Sequence, residues 1–176
     1  LPGRKVVIVG SGDIGIIMAR RFVIEGAEDK AIVEIQNQTR GLMRNLIQCA
    51  GDFNIPVYFS HKISRIYGNK RVQKVEIVRI DENLKEVPSS KFEIECDTIL
   101  ISVGLIPENE LLDLAGAEID KRTNAPLTEE PFKTSIPGIF TCGNSFKIYD
   151  LVDSVTKDSF VAGQLAAEYI GGGEFK

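Results

Sequence analysis

Apolar residues in this chain come in short runs broken by turn residues, and the first run is the most telling. Val6-Val7-Ile8-Val9 is unbroken and β-branched, the makeup of a strand buried on both faces of a parallel sheet. From Ile14 to Glu25 the spacing changes. Ile14, Ile17, Met18, Phe22 and Ile24 recur at helical intervals and predict an amphipathic helix packed through those residues. Lys30-Ala-Ile-Val-Glu-Ile35 reads as a second strand, and Leu42, Met43, Leu46, Ile47 and Ala50 predict a helix over Gly41–Gly51. Ile55-Pro-Val-Tyr-Phe59 supplies a third strand. The order β-α-β-α-β is that of a mononucleotide-binding half with a parallel sheet.

The middle of the chain has a different rhythm. Lys62–Tyr67, Arg71–Ile80 and Lys91–Glu95 show partial alternation, as at Val72, Val75, Ile77 and Ile80. Gly68-Asn69, Asp81-Glu-Asn83 and Pro88-Ser-Ser90 offer turn chemistry, so a three-strand antiparallel meander is expected. Asp97-Thr-Ile-Leu-Ile-Ser-Val103 is then another apolar strand. It is expected to rejoin the parallel sheet with its carboxyl end beside the end of the first strand, where ligands of open α/β sheets collect.

Between the first strand and the first helix stands Gly10-Ser11-Gly12-Asp13-Ile14-Gly15, a G-x-G-x-x-G pattern in the strand–turn–helix setting that a dinucleotide site requires. Gly10 is assigned to the tight turn, Gly12 to close approach of a pyrophosphate, and Gly15 to helix–strand packing. N–H groups near Asp13 to Ile16 would face the phosphates, aided by the helix dipole. Glu34 lies 24 residues after Gly10, near the interval of ~20 at which an acid meets the adenosine ribose. A carboxylate there accepts from both ribose hydroxyls and repels a 2′-phosphate, which favours NAD. Arg40 and Arg44 follow closely, and arginines there would suit a 2′-phosphate, so NADP stays open.

Composition narrows the classes. A net charge of −4, and basic residues (Lys62, Arg65, Lys70, Arg71, Lys74) without interleaved aromatics, argue against nucleic acid as a partner. No stretch approaches the ~18 apolar residues of a membrane span, and the opening Leu-Pro-Gly-Arg-Lys does not read as a signal peptide. The three cysteines, Cys49, Cys96 and Cys142, are far apart and set among apolar neighbours. They are expected to be core fillers in a reducing cytoplasm, with no C-x-x-C pair. A single histidine leaves no His/Cys metal site to assign.

Three stretches together carry a resemblance. They are Pro2-Gly-Arg-Lys-Val-Val-Ile-Val-Gly10, Asp97–Pro107 with Asn109-Glu-Leu-Leu112, and Thr134-Ser-Ile-Pro-Gly-Ile-Phe-Thr-Cys-Gly-Asn144. In this order the chain resembles the two-dinucleotide-domain flavoproteins, the pyridine nucleotide–disulfide oxidoreductase family. The resemblance implies an α/β fold with an NAD(P) domain over 1–108, built from a Rossmann-like parallel sheet and the meander. It implies that 109–176 is a partial, C-terminal segment of an FAD domain. Gly10, Ser11, Gly12, Asp13, Ile14 and Gly15 match the pyrophosphate turn and Glu34 the ribose position. Val103 and Gly104 match backbone positions lining the nicotinamide. Gly143 and Asn144 match the flavin ribityl site, with Asn144 where the family usually has Asp, and an amide oxygen still accepts a hydroxyl. Leu151 and Val152 would open the last helix, pointing its N-terminus at the flavin.

The implied activity is NAD(P)H-linked, flavin-dependent electron transfer, with no catalytic side chain assigned in this stretch. Since the family carries an earlier glycine turn for the ADP half of FAD, and one copy stands here, the chain reads as a piece of a longer protein. The expected partners are the dinucleotides, with a second copy or a redox partner subunit left open. Two other readings remain at this point: a non-catalytic nucleotide-binding module or scaffold subunit of a larger oxidase, and a stand-alone flavoprotein whose FAD uses Gly10–Gly15.

Overall fold

The computed structural model describes residues 2–128 and 130–172. They fall into two compact units, Leu1–Gly104 and Leu105–Lys176. The division lies four residues before the 108/109 boundary read from the sequence.

The first unit holds a four-stranded parallel sheet of β1 (Lys5–Val9), β2 (Glu28–Glu34), β3 (Val57–Phe59) and β7 (Thr98–Ile101), in the order β3-β2-β1-β7. Between β3 and β7 the chain makes an antiparallel meander of β4 (His61–Gly68), β5 (Val72–Arg79) and β6 (Phe92–Glu95). Both features agree with the sequence pattern. The unbroken apolar run of β1 has a direct cause. Val6 and Ile8 face the helices and pack with Ile16, Ala19, Phe22 and Ile32. Val7 faces the other way and packs with Ala31, Val33, Val75, Ile77 and Cys96. The sheet is therefore covered on both sides, and Val6, Val7 and Ile8 of β1 each meet an apolar layer.

The helix α1 (Asp13–Ile24) buries Gly15, Ile16, Ala19 and Phe22. This corrects the expected face in part: Phe22 is buried and Met18 packs on the core as expected. Ile14, Ile17 and Ile24 are exposed, and the buried stripe is rotated to smaller residues that admit close helix–sheet contact. The next helix departs too. α2 (Met43–Asn45) continues into a π-helical turn, Leu46–Gly51, with Asp52 N–H donating to Ile47 O. Its Cys49 and Ala50 are buried, whereas Leu42, Met43 and Ile47 are exposed.

The pairing of β1 with β2 slips between Val6 and Val7, where Asp29 and Ala31 face consecutive residues and Lys30 is extra. Asp29, at this bulge, has both carboxylate oxygens buried and without a hydrogen-bond partner among the described residues. Burial pushes its carboxyl up to about 7, offset in part by the nearby Ala31 N–H.

The second unit contains α3 (Glu110–Leu114) and α4 (Val152–Ile170), joined by turns with isolated bridges Ile119↔Pro126 and Lys133↔Phe140. Phe132 and Phe146 pack with ring centroids 5.0 Å apart. Gly138, at φ +85°, leaves room for the Tyr169 ring, which a Cβ there would meet at 3.2 Å.

Candidate dinucleotide site

β1 ends at Val9, and the chain must then turn into α1 beneath the end of β7. Gly10 makes that turn at φ +100°, with its α-carbon against the Ser102 carbonyl, a place and a conformation that exclude a side chain. Ser102 N–H donates to Val9 O at 2.7 Å, tying β7's carboxyl end to the turn. Gly15, one turn into α1, lies against Gly10 O and within 3.2 Å of the Ser102 side chain as a Cβ would see it. Gly12 differs from both. Its backbone is extended, φ −68° and ψ 165°, and nothing lies within 4 Å of where a Cβ would stand. Open space thus stands over the start of α1. The first helical bond runs from Ile16 N–H to Gly12 O at 3.1 Å, so the N–H groups of Gly12, Asp13, Ile14 and Gly15 precede it. They form the donor set that an anionic oxygen needs at a helix N-terminus.

Glu34, at the end of β2, lies beside this turn. It is 4% exposed. One carboxylate oxygen, Oε2, accepts the Ser11 N–H and the Ser11 hydroxyl at 2.7 Å each, and Oε1 accepts the Gln36 N–H at 2.8 Å. The structure brings Glu34 to the glycine turn, as the spacing predicts, but it narrows the expected role. Oε2 is filled by Ser11, which leaves one free acceptor direction, on Oε1. Val103 and Gly104 follow β7 on the exposed surface, Gly104 at φ +114° with open space around it.

Other contacts here were not legible in the motif. Thr39 Oγ1–H donates to Ser11 O at 2.7 Å and Gly41 N–H to the same oxygen at 3.1 Å. Asp13 Oδ1 accepts from Leu42 N–H and Asn45 Nδ2–H, both at 2.8 Å. Helical spacing alone signals nothing of this crossing. The available hint was a glycine, Gly41, at the end of a polar turn.

In the second unit, Gly143 takes φ +65° and leads the short turn Gly143–Ser145, with Asn144 exposed. Asn144 Oδ1 accepts from Tyr149 N–H at 3.4 Å. Leu151 precedes α4 and Val152 begins it, both exposed, as the sequence predicts for that helix start. Asn109 is buried and cross-links three loops. Its Nδ2 donates to Asn124 O at 2.6 Å and Ser145 O at 2.9 Å, and its Oδ1 accepts the Ser145 hydroxyl. Beside it opens a cleft of about 390 Å³, lined by Asn109, Leu112, Phe140, Thr141, Cys142 and Ser145. Thr141 is buried, and its Oγ1 has no hydrogen-bond partner among the described residues. Cys142 is exposed, which corrects its assignment as a core filler, while Cys49 and Cys96 are buried as expected. Burial, with the Asp97 charge, pushes the Cys96 thiol up. Among the described residues no cluster of His, Cys, Asp or Glu fits a metal ion, and no helix is long and apolar enough to cross a membrane.

Comparison with known proteins agrees with this geometry. Residues 1–157 match the family model described as pyridine nucleotide-disulphide oxidoreductase. An NADH oxidase of Methanocaldococcus jannaschii is 30% identical over 155 residues, 85% of this chain and 31% of that protein. Among solved structures, the thioredoxin reductase of Lactococcus lactis superposes with a TM-score of 0.79 at 20% identity, over 97% of this chain and 54% of that one. That of T. acidophilum gives 0.75 at 24% identity, over 96% and 53%. These two likenesses concern the fold. The chain spans about a third of the length of the curated relatives it matches. Glycine turn, return strand and family match together make the conclusion plain: the chain belongs to the pyridine nucleotide-disulphide oxidoreductase family.

Proposed function

We propose that the first unit, the NAD(P) domain of the sequence reading, seats a nicotinamide dinucleotide, NADH in preference to NADPH. On this reading the protein delivers the nucleotide's electrons to a flavin held in part by the second unit. The observation that carries the reading is the contrast among the three glycines. Gly10 and Gly15 are pressed against backbone, whereas Gly12 faces open space above the N–H groups that precede the first helical hydrogen bond. Packing requires the first two glycines. A ligand is the economical reason for the third.

Each residue then has a definite task. The N–H groups of Gly12 to Gly15 hold the pyrophosphate, and the dipole of α1 adds attraction. Glu34 Oε1 accepts one ribose hydroxyl, while its charge opposes a 2′-phosphate. Val103 and Gly104 line the nicotinamide end. For the flavin, the buried Thr141 hydroxyl lines the cleft with no hydrogen-bond partner among the described residues, a group that a polyhydroxyl chain would satisfy. The exposed Asn144 amide follows in the next turn, with its Oδ1 shared with Tyr149 N–H. The start of α4 offers further N–H groups at Leu151 and Val152. A bound flavin supplies the two-electron acceptor, and the protein's share is placement and electrostatics.

Gly12→Val tests the carrying observation. Valine fits the backbone found at Gly12 and meets no neighbour, so the fold stays intact while the phosphate space is filled. NADH affinity should fall by at least about 100-fold, or about 2.7 kcal/mol, with an unchanged melting temperature. Unchanged affinity would remove the dinucleotide from this turn.

A further inference from the structure

The segment from Thr39 to Asn45 is fastened to the glycine turn through two acceptors. Ser11 O takes Thr39 Oγ1–H and Gly41 N–H, and Asp13 Oδ1 takes Leu42 N–H and Asn45 Nδ2–H. The fit is close. A Cβ on Gly41 would stand 2.8 Å from Asp13 Oδ1, 2.9 Å from Asp13 N and 3.1 Å from Ile16 Cδ1. Ser11 joins this segment to the ribose side, because its N–H and hydroxyl face Glu34 while its carbonyl faces Thr39 and Gly41.

An acid at Asp13 is a poor choice for binding phosphate directly, since a carboxylate on the first turn of α1 repels what the dipole attracts. Its hydrogen bonds give it another purpose. Arg40 lies between the two residues bonded to Ser11 O, and Arg44 lies between the two bonded to Asp13. Both arginines are exposed and neither forms an ion pair among the described residues.

We infer that Asp13 is a positioning residue for nucleotide selection. It latches residues 39–45 against the turn, holds the backbone of Arg40 and Arg44 in one place, and so sets the discrimination between a ribose 2′-hydroxyl and a 2′-phosphate. The inference rests on the dinucleotide seat proposed above. When the latch opens, the arginines gain reach toward a 2′-phosphate, and the wall beside the ribose loses its fixed shape.

The test compares the unaltered chain with Asp13→Ala, Asp13→Asn and Gly41→Ala. The chain contains no tryptophan, so the nucleotide's own fluorescence reports binding of NADH and NADPH. Hydrogen exchange at the amides of Gly41 to Asn45 reports the latch without any nucleotide. Asp13→Ala should release those amides, weaken NADH by about tenfold, and cut the preference for NADH over NADPH several-fold. Asp13→Asn keeps an oxygen that accepts from Leu42 and Asn45, so it should rescue protection and most of the selectivity. Gly41→Ala forces the segment away and should resemble Asp13→Ala even if that variant folds poorly.

Tighter NADH binding in both Asp13 variants would mean that the charge alone matters, and would overturn the inference. So would an unchanged nucleotide ratio in Asp13→Ala with the amides released. Failure of the unaltered chain to bind either nucleotide would instead defeat the proposed function and the selectivity claim with it, with exchange still reporting whether Asp13 holds the segment.

Discussion

Two acidic residues of one strand behave in opposite ways. Glu34, at the carboxyl end of β2, is buried yet satisfied by Ser11 and Gln36. Asp29, near the other end, is half-buried, and its two carboxylate oxygens are buried without a hydrogen-bond partner among the described residues. A hydrogen bond to a charged group is worth about 1.5–3 kcal/mol, so Glu34→Ala should erase most of the NADH preference in paired titrations with NADPH. It should also cost stability, because Ser11 loses its acceptor. NADPH binding the unaltered chain as tightly as NADH would transfer control to Arg40 or Arg44. For Asp29 the linkage has a definite sign. The folded carboxyl titrates at about 7 against an ordinary 3.8, so the folded state binds this proton more tightly than the unfolded one. Its contribution is fully present below pH ~4 and is lost as pH rises through ~7, by an amount on the order of a few kcal/mol. Asp29→Asn should therefore raise the melting temperature at pH 8 and leave it nearly unchanged at pH 4, provided the amide occupies the same place. Equal effects at both pH values would show that Asp29 is not titrating there. Glu34 was legible from its interval after Gly10. The unpartnered carboxylate of Asp29 was not, because it lies at a bulge that the one-dimensional pattern does not reveal.

At the scale of elements, composition separated strands from helices more surely than it oriented them. The run Val6–Val9 and the alternation at Val75 and Ile77 correctly foretold a strand covered on both faces and an antiparallel meander, whereas the packing of that meander on one face of the parallel sheet is seen only in the structure. The α1 face departs from the apolar spacing at Ile14, Ile17 and Ile24, which are exposed, and agrees with it at Phe22. Close approach to β1 instead selects Gly15, Ile16 and Ala19, since small side chains let the helix axis sit near the sheet. The π-helical turn after α2 hid for a similar reason, as its apolar positions were read at a period of 3.6. Buried polar cross-links are harder still to foresee. Asn109 gathers Asn124 and Ser145 from distant parts of the chain, and its loss would take the donor from the Asn124 and Ser145 carbonyls. Asn109→Ala should lower stability by about 1–3 kcal/mol, measured by denaturant midpoint. It should also loosen the Gly143–Ser145 turn, seen as faster exchange at its amides. Retained protection there would mean that α4 alone supports the turn.

For the molecule as a whole, the two units are built to different standards. The first encloses its parallel sheet between two apolar layers. In the second, Ala117, Phe132 and Ala162, with Pro107 and Pro126, are the buried apolar residues among those described, and Val152, Phe160 and Ile170 stand exposed on α4. The family and the glycine turn were legible from sequence because both depend on order and spacing along the chain. The fastening of residues 39–45 over that turn depends on tertiary geometry and had to be seen. The central claim is that Gly10–Gly15 seats a nicotinamide dinucleotide. Residue-resolved amide NMR during an NADH titration tests it most directly. The account predicts saturable shifts concentrated at Gly12, Asp13, Ile14 and Gly15, with smaller ones at Glu34 and Gln36. Shifts confined to residues 105–172, or a turn that answers to FAD and not to NADH, would contradict it.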